Sequence, residues 1–209
     1  MLTLTTLASG SSGNCLLLSA GETHLLVDAG ISCRRICRSL RDLGVDPSAL
    51  SGVLVTHEHT DHVSGLATLT KQLGVPVYAT APTLDRLERK VPALARLGRA
   101  LEAGTGFQLG ELWVESFSTP HDAAGSVGYA VTGGGARMAL ATDLGHLSSE
   151  NNTPARAREV VSRRLSALGV RPEEDITLAV APRSECGALY RLERGGALRA
   201  FPAREASLC

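Results

Sequence analysis

The stretch Thr56-His57-Glu58-His59-Thr60-Asp61-His62 constrains this chain more than any other part of it. It holds three of the six histidines and directly follows the apolar run Val53–Val55, which reads as a short buried strand. On an extended chain, residues at i and i+2 point the same way, so His57 and His59 aim two imidazoles at one place. Asp61 and His62 follow in the turn, where the chain can present a second ligand set. Imidazole and carboxylate in this combination suit zinc, and manganese takes such donors too. So many close-set ligand-type groups, with Glu58 among them, are costly to hold unless a cation neutralises or orders them.

One loop cannot complete a metal site, so other His or acidic residues are expected at strand ends elsewhere. Three positions meet that test. His121 follows Leu112–Ser118 within Thr119-Pro120-His121-Asp122, Asp143 ends the apolar run Met138–Thr142, and His146 lies three residues later, ahead of a helix signal. His24 sits on the polar side of an early strand and is expected at the surface. The charge distribution agrees with a cation site. Lys and Arg balance Asp and Glu at 21 each, which excludes a global attraction to nucleic acid or an anionic membrane. Residues 101–154, however, carry one basic and six acidic side chains.

Strand signals fall at Leu2–Leu7, Cys15–Ser19, Leu25–Val27, Val53–Val55, Val75–Ala79, Leu112–Ser118, Ser126–Val131, Arg137–Thr142 and Ile176–Ala181. Helical spacing covers Ile31–Leu43, Gly65–Leu73 and Pro82–Lys90. A further helix, capped by Thr153, runs through Val160, Val161, Leu165 and Leu168 to Gly169. The tail from Arg183 has no clear period. Interleaved strands and helices predict an α/β chain of packed sheets with helices outside, and no linker divides it, so residues 1–209 read as one domain. Aromatics make up only 3% of the chain, which leaves Leu, Val and Ala to build the core. No apolar run reaches the roughly 18 residues of a membrane helix, and no basic-then-apolar segment opens the chain, so a cytoplasmic protein with no membrane partner is expected. Five cysteines without a C-x-x-C pair fit neither a zinc ribbon nor a thioredoxin-type motif. Cys33 and Cys37 are expected as reduced thiols at the core edge.

His57-Glu58-His59-Thr60-Asp61-His62 resembles the H-x-H-x-D-H signature of the metallo-β-lactamase superfamily. The order of Asp28 in Val27-Asp28-Ala29-Gly30, then this signature, then His121, Asp143 and His146 matches the superfamily's motif order. Ser9-Gly10-Ser11-Ser12-Gly13-Asn14 and His146-Leu147-Ser148-Ser149-Glu150-Asn151-Asn152 are similar to segments of the bacterial YycJ/WalJ-type metallohydrolases, a subgroup associated with exonuclease activity on double-stranded DNA. The resemblance implies an αββα sandwich with two divalent metal ions, zinc or manganese, at one edge of the sheets. It places His57, His59 and His121 on one metal and Asp61, His62 and His146 on the other, with Asp143 bridging. Asp61 would also accept a proton from the nucleophile, and DNA would be the substrate. Asp28 would orient the histidine loop from behind; read from the residues alone, it is equally suited to cap the helix beginning at Ile31.

The chain departs from the subgroup at Asp143-Leu144-Gly145-His146, which joins directly two segments that relatives separate by several dozen residues. An internal deletion explains the junction, and the sandwich is therefore expected to be incomplete in its second half. Residues at i and i+3 of a strand face opposite ways, so Asp143 and His146 can share a site only if the chain bends at Gly145. Three functions follow: phosphodiester hydrolysis, hydrolysis of a small thioester, lactone or lactam, or a shortened non-catalytic metal-binding protein. Composition alone gives no support for DNA, since aromatic stacking residues are few. The Ser9–Asn14 loop suits either a phosphate cradle or a tight connection between two strands, and it lacks the Gly-Lys of a P-loop.

Overall fold

The computed structural model describes residues 1–142, 154–167, 171, 177, 188–192 and 198–202. Strands β1 (Leu2–Ala8), β2 (Cys15–Ala20) and β3 (Thr23–Val27) form an antiparallel meander, and β4 (Leu50–Leu54), β5 (Val77–Thr80) and β6 (Gly98–Leu101) continue it in parallel. Parallel neighbours need crossovers. These are α1 (Cys33–Asp42) with a 3-10 turn at Pro47–Ala49, α2 (Thr60–Val63) with α3 (Leu66–Leu73), and α4 (Ala81–Glu88) with α5 (Leu94–Leu97). A second, wholly antiparallel sheet has the order β10-β9-β8-β7, built from β7 (Gly106–Leu109), β8 (Leu112–Ser118), β9 (Val127–Gly133) and β10 (Ala136–Leu140). After α6 (Pro154–Ala167), strands β11 (Ala188–Leu192) and β12 (Leu198–Pro202) return to the first sheet beside β1.

The first sheet is covered on both faces, and the period of two sorts its side chains. Leu25, Val27 and Leu54 meet Leu112, Val114, Tyr129 and Val131 between the sheets, whereas Leu26, Val53 and Val55 pack with Ile36, Leu40, Leu66 and Leu69 of the helices. Each fully buried Leu contributes about 2 kcal/mol, so a Leu-rich interior needs few aromatics. Tyr129 adds a polar tie between the layers: its hydroxyl donates to the Val55 carbonyl at 2.7 Å, at the end of β4. The Val127 amide donates to the Thr56 carbonyl at 3.1 Å, which joins the start of β9 to the same spot. These two bonds bring the loop after β4 and the loop between β8 and β9 to one edge of the sandwich.

Most predicted elements are present within one or two residues. Helix α1 starts at Cys33 rather than Ile31, because the Ser32 hydroxyl caps it by accepting from the Arg35 amide. Asp28 therefore does not cap this helix. β5 starts at Val77 rather than Val75. Strands β6 and β7 were not expected, and the tail that showed no period contributes β11 and β12. Cys33 and Cys37 are buried free thiols with their sulfurs 3.9 Å apart, as expected. His24 is half-buried rather than at the surface, its Nδ1 2.8 Å from the Ser19 hydroxyl. The Ile176–Ala181 strand, the Thr153 cap and the Asp143–His146 junction lie outside the described residues apart from Thr177. Among the described residues, no helix is long and apolar enough to cross a membrane.

Candidate metal centre

The geometry of the site begins at Asp28, just past the end of β3. It is fully buried and holds a left-handed backbone, φ 62°, which Asp and Asn tolerate better than most residues. Its carboxylate accepts from the Thr56 amide at 2.8 Å and the Thr56 hydroxyl at 2.8 Å, and lies 2.7 Å from His62 Nδ1. A carboxylate can only accept, so the proton of His62 sits on Nδ1 and its Nε2 is left as an acceptor facing the site. The same logic reaches His57. The Thr56 hydroxyl is spent on Asp28, so at 3.0 Å it accepts from His57 Nδ1, and His57 Nε2 is the ring nitrogen left without a proton. One buried carboxylate thus sets the tautomers of two histidines.

The backbone around Asp28 is laced to the histidine loop. Ala29 N donates to His62 O at 2.7 Å, and Gly65 N donates to Ala29 O at 2.8 Å. Gly30 passes so close to Asp61 that a Cβ there would stand 1.6 Å from the Asp61 carbonyl oxygen. Asp61 and His62 belong to the helical turn α2 rather than to an irregular turn. His62 Nε2 and Asp61 Oδ2 face each other at 3.5 Å, with the Asp61 side chain 31% exposed and His62 fully buried.

His121 comes from the other sheet. Its loop is closed by Thr119 N donating to Ser126 O at 3.1 Å, and the Ala124 amide donates to Glu58 Oε1 at 3.0 Å. The structure brings His57, His59 and His121 together: one nitrogen from each lies within 4.8 Å of the others. His121 Nε2 is 3.2 Å from His59 Nδ1, and the His57 ring centroid is 4.7 Å and 4.4 Å from those of His59 and His121. Ligand atoms on one tetrahedral ion with bonds near 2.0–2.1 Å stand ~3.3 Å apart. The donor set therefore fits a divalent cation, and so does the 3.5 Å spacing of Asp61 and His62. Burial, and then the neighbouring imidazole of His62, push His57 down from 6.5 to about 4, which keeps it in the neutral form that ligates. Asp143 and His146 lie outside the described residues.

Sequence reasoning gave Thr56 no role, and it placed Glu58 only among the acidic groups of the cluster and Asn14 only in a loop suited to cradle phosphate. Thr56 relays between Asp28 and His57, and the one available signal was a hydroxyl between an apolar strand and the first histidine. Glu58 ties the histidine loop to the His121 loop. Asn14, at the end of the glycine–serine loop, directs its side-chain amide at His62 Nε2 (3.1 Å) and Asp61 Oδ2 (3.4 Å). The loop is thus part of the site's wall as well as a connection between strands.

Two packed sheets with imidazoles and carboxylates gathered on the loops of one edge define a metallohydrolase fold. The chain belongs to the metallo-β-lactamase superfamily, whose sequence profile matches residues 8–182. It is 37% identical over 143 residues to the exodeoxyribonuclease YycJ of Bacillus anthracis and 35% identical over 147 residues to the exodeoxyribonuclease WalJ of Streptococcus pneumoniae serotype 2, strain D39. Each match covers 68% of this chain and 54% of the relative, so the chain spans about half the length of these curated relatives. Among solved structures, the metallo-β-lactamase SMB-1 bound to mercaptoacetic acid superposes with a TM-score of 0.56 at 22% identity, over 79% of this chain and 74% of that one. At that identity the likeness concerns the fold. The αββα class read from the sequence is the class found.

Proposed function

We propose that this chain is a metal-dependent hydrolase that cleaves phosphodiester bonds, with double-stranded DNA as its substrate class. The observation that carries the reading is the convergence of His57, His59 and His121 from two sheets, beside an Asp61–His62 pair whose imidazole is oriented by Asp28. His57, His59 and His121 would hold one cation. Asp61 and His62 would hold a second with His146, and Asp143 would bridge. Bound there, zinc or manganese would supply an activated water and charge stabilisation at the phosphorus. The chain's own part is to fix the donors. Asp28 holds His62 and Thr56, Thr56 holds His57, and Asp61, partly open to solvent, would receive the proton that the attacking water gives up. The relatives named exodeoxyribonucleases favour DNA over other substrates of the superfamily.

The test is degradation of linear double-stranded DNA by the purified chain, loaded with Mn²⁺ or Zn²⁺ and compared with a chelator-treated sample. The same preparations are assayed on a chromogenic lactam and a thioester. Metal-dependent loss of DNA without turnover of the small substrates is expected. Hydrolysis of a small substrate with intact DNA would overturn the substrate assignment, and no metal-dependent hydrolysis of any of them would overturn the enzyme.

A further inference from the structure

The Asp61–His62 half of the site contains an arrangement that needs explaining. His62 Nε2 and Asp61 Oδ2 are both acceptors, 3.5 Å apart and facing each other. Two lone pairs so placed repel unless a donor or a cation lies between them. Asn14 supplies the donor. Its amide cannot be turned around, because Oδ1 accepts from the Gly10 amide at 2.9 Å and leaves the NH2 group directed at His62 Nε2 and Asp61 Oδ2. Nor can its backbone slide away: Asn14 N donates to Asp61 O at 2.7 Å and Asn14 O accepts from Gly30 N at 2.8 Å. Asp61 also lines a cavity of about 390 Å³ with Ser11, Ser12, Gly30, Thr60 and Ser64, so one side of the pair is open to a hydrated ion.

We propose that Asn14 sets how tightly the Asp61–His62 pair takes a divalent cation, by holding an amide donor on the same lone pairs that the cation needs. This rests on the reading of the cluster as a metal centre. His62 Nε2 has one lone pair, and an N–H bond to it and a metal bond to it exclude each other. Entry of a cation at this pair must therefore break the Asn14 contact, while the His57–His59–His121 trio, which Asn14 does not contact, fills without that cost. The residue is a determinant of metal occupancy and of the order of filling.

The experiment is a calorimetric titration of the full chain with Zn²⁺ after chelation, with elemental analysis of the dialysed product and the absorption spectrum of the Co²⁺ form. In the unaltered chain a first cation binds tightly and a second more weakly. Asn14→Ala should leave the first affinity unchanged and tighten the second roughly fivefold, the equivalent of one ordinary hydrogen bond removed from competition. Asn14→Asp keeps the acceptor for Gly10 and replaces the donor with a carboxylate oxygen, so it should tighten the second cation more than tenfold and alter the Co²⁺ spectrum. Ser11→Asp adds the same charge to the loop without that fixed aim and should do much less. If Asn14→Ala fails to fold, the comparison of the two aspartate variants decides. A second affinity that is unchanged or weaker in the Asn14 variants, or equal gains from both aspartates, would overturn the proposal while the metal centre stands. A chain that binds no cation at all would overturn the metal reading itself.

Discussion

Replacing Asp28 by Asn tests how the site is held. Asn is nearly isosteric and tolerates the φ of 62°, so the backbone should not change. Its carbonyl oxygen can still accept from the Thr56 amide at 2.8 Å and the Thr56 hydroxyl at 3.0 Å, although the shorter hydroxyl bond to Oδ2 is lost. The other terminal atom becomes an NH2 group 2.7 Å from His62 Nδ1. Two donors then oppose each other in a fully buried place. Either the bond is lost, or His62 moves its proton to Nε2 and forfeits the lone pair that faces Asp61. Losing a buried charge-assisted bond costs about 2–4 kcal/mol of unfolding free energy, and removing the partner that orients a ligand weakens metal binding about 10–100-fold. Urea unfolding of the chelated protein measures the first, Zn²⁺ titration the second, and nitrogen NMR of the imidazoles reads the tautomer directly. An Asp28→Asn variant with His62 still protonated on Nδ1, and with unchanged stability and metal affinity, would show that Asp28 does not govern the histidine loop.

Asp61→Asn should lower DNA turnover by orders of magnitude while unfolding stays cooperative, since a ligand and a charge are lost without a change of volume; steady-state assay beside thermal unfolding checks it. Gly30→Ala should prevent the native fold or destabilise it by more than about 3 kcal/mol, because the new methyl would overlap the Asp61 carbonyl that lies 1.6 Å away; circular dichroism and expression yield report this. The chelated protein should lose on the order of 3 kcal/mol as pH falls from 6.5 to 4, because the unfolded chain protonates His57 near 6.5 whereas burial holds the folded His57 at about 4. His57→Gln should flatten that part of the pH–stability curve.

The sequence already carried the half of the fold that the histidine loop depends on. A strand ending in His57, a helical crossover and a meander upstream are all local patterns of period two or 3.6, and they appear where the periods place them. Strands β6 and β7 were hidden for different reasons: Gly98–Leu101 does not alternate, with Arg99 and Ala100 both exposed, whereas Gly106–Leu109 alternates over only four residues and opens on a glycine. Pairing with β5 and β8 makes them strands, and pairing is a tertiary fact. The tail strands were missed for a similar reason, since β11 depends on the edge of β1, where Leu2 pairs with Leu192, 190 residues along the chain. At the site, ligand-type residues announce themselves by chemistry, whereas Thr56 and Asn14 are ordinary polar residues whose roles come from what lies 3 Å away.

The described residues also locate where the short Asp143–His146 junction can matter. His57, His59 and His121 are all held by contacts within residues 1–142: Asp28 through Thr56, the Glu58–Ala124 bond, and the closure of the His121 loop by Thr119 and Ser126. Among the described residues, these contacts tie the trio to both sheets through residues that precede the junction. The Asp61–His62 pair is equally well built, yet it offers two donors where a cation commonly takes four or more. In the proposed reading Asp143 and His146 would make up the shortfall, and Asn14 holds a competing donor on the near side. Under that reading both features would act in one direction, toward a first cation bound firmly and a second that the substrate's own oxygens would help to hold. Phosphate oxygens can give that help and a neutral lactam carbonyl gives much less, which is a physical reason for such a site to favour an anionic phosphodiester.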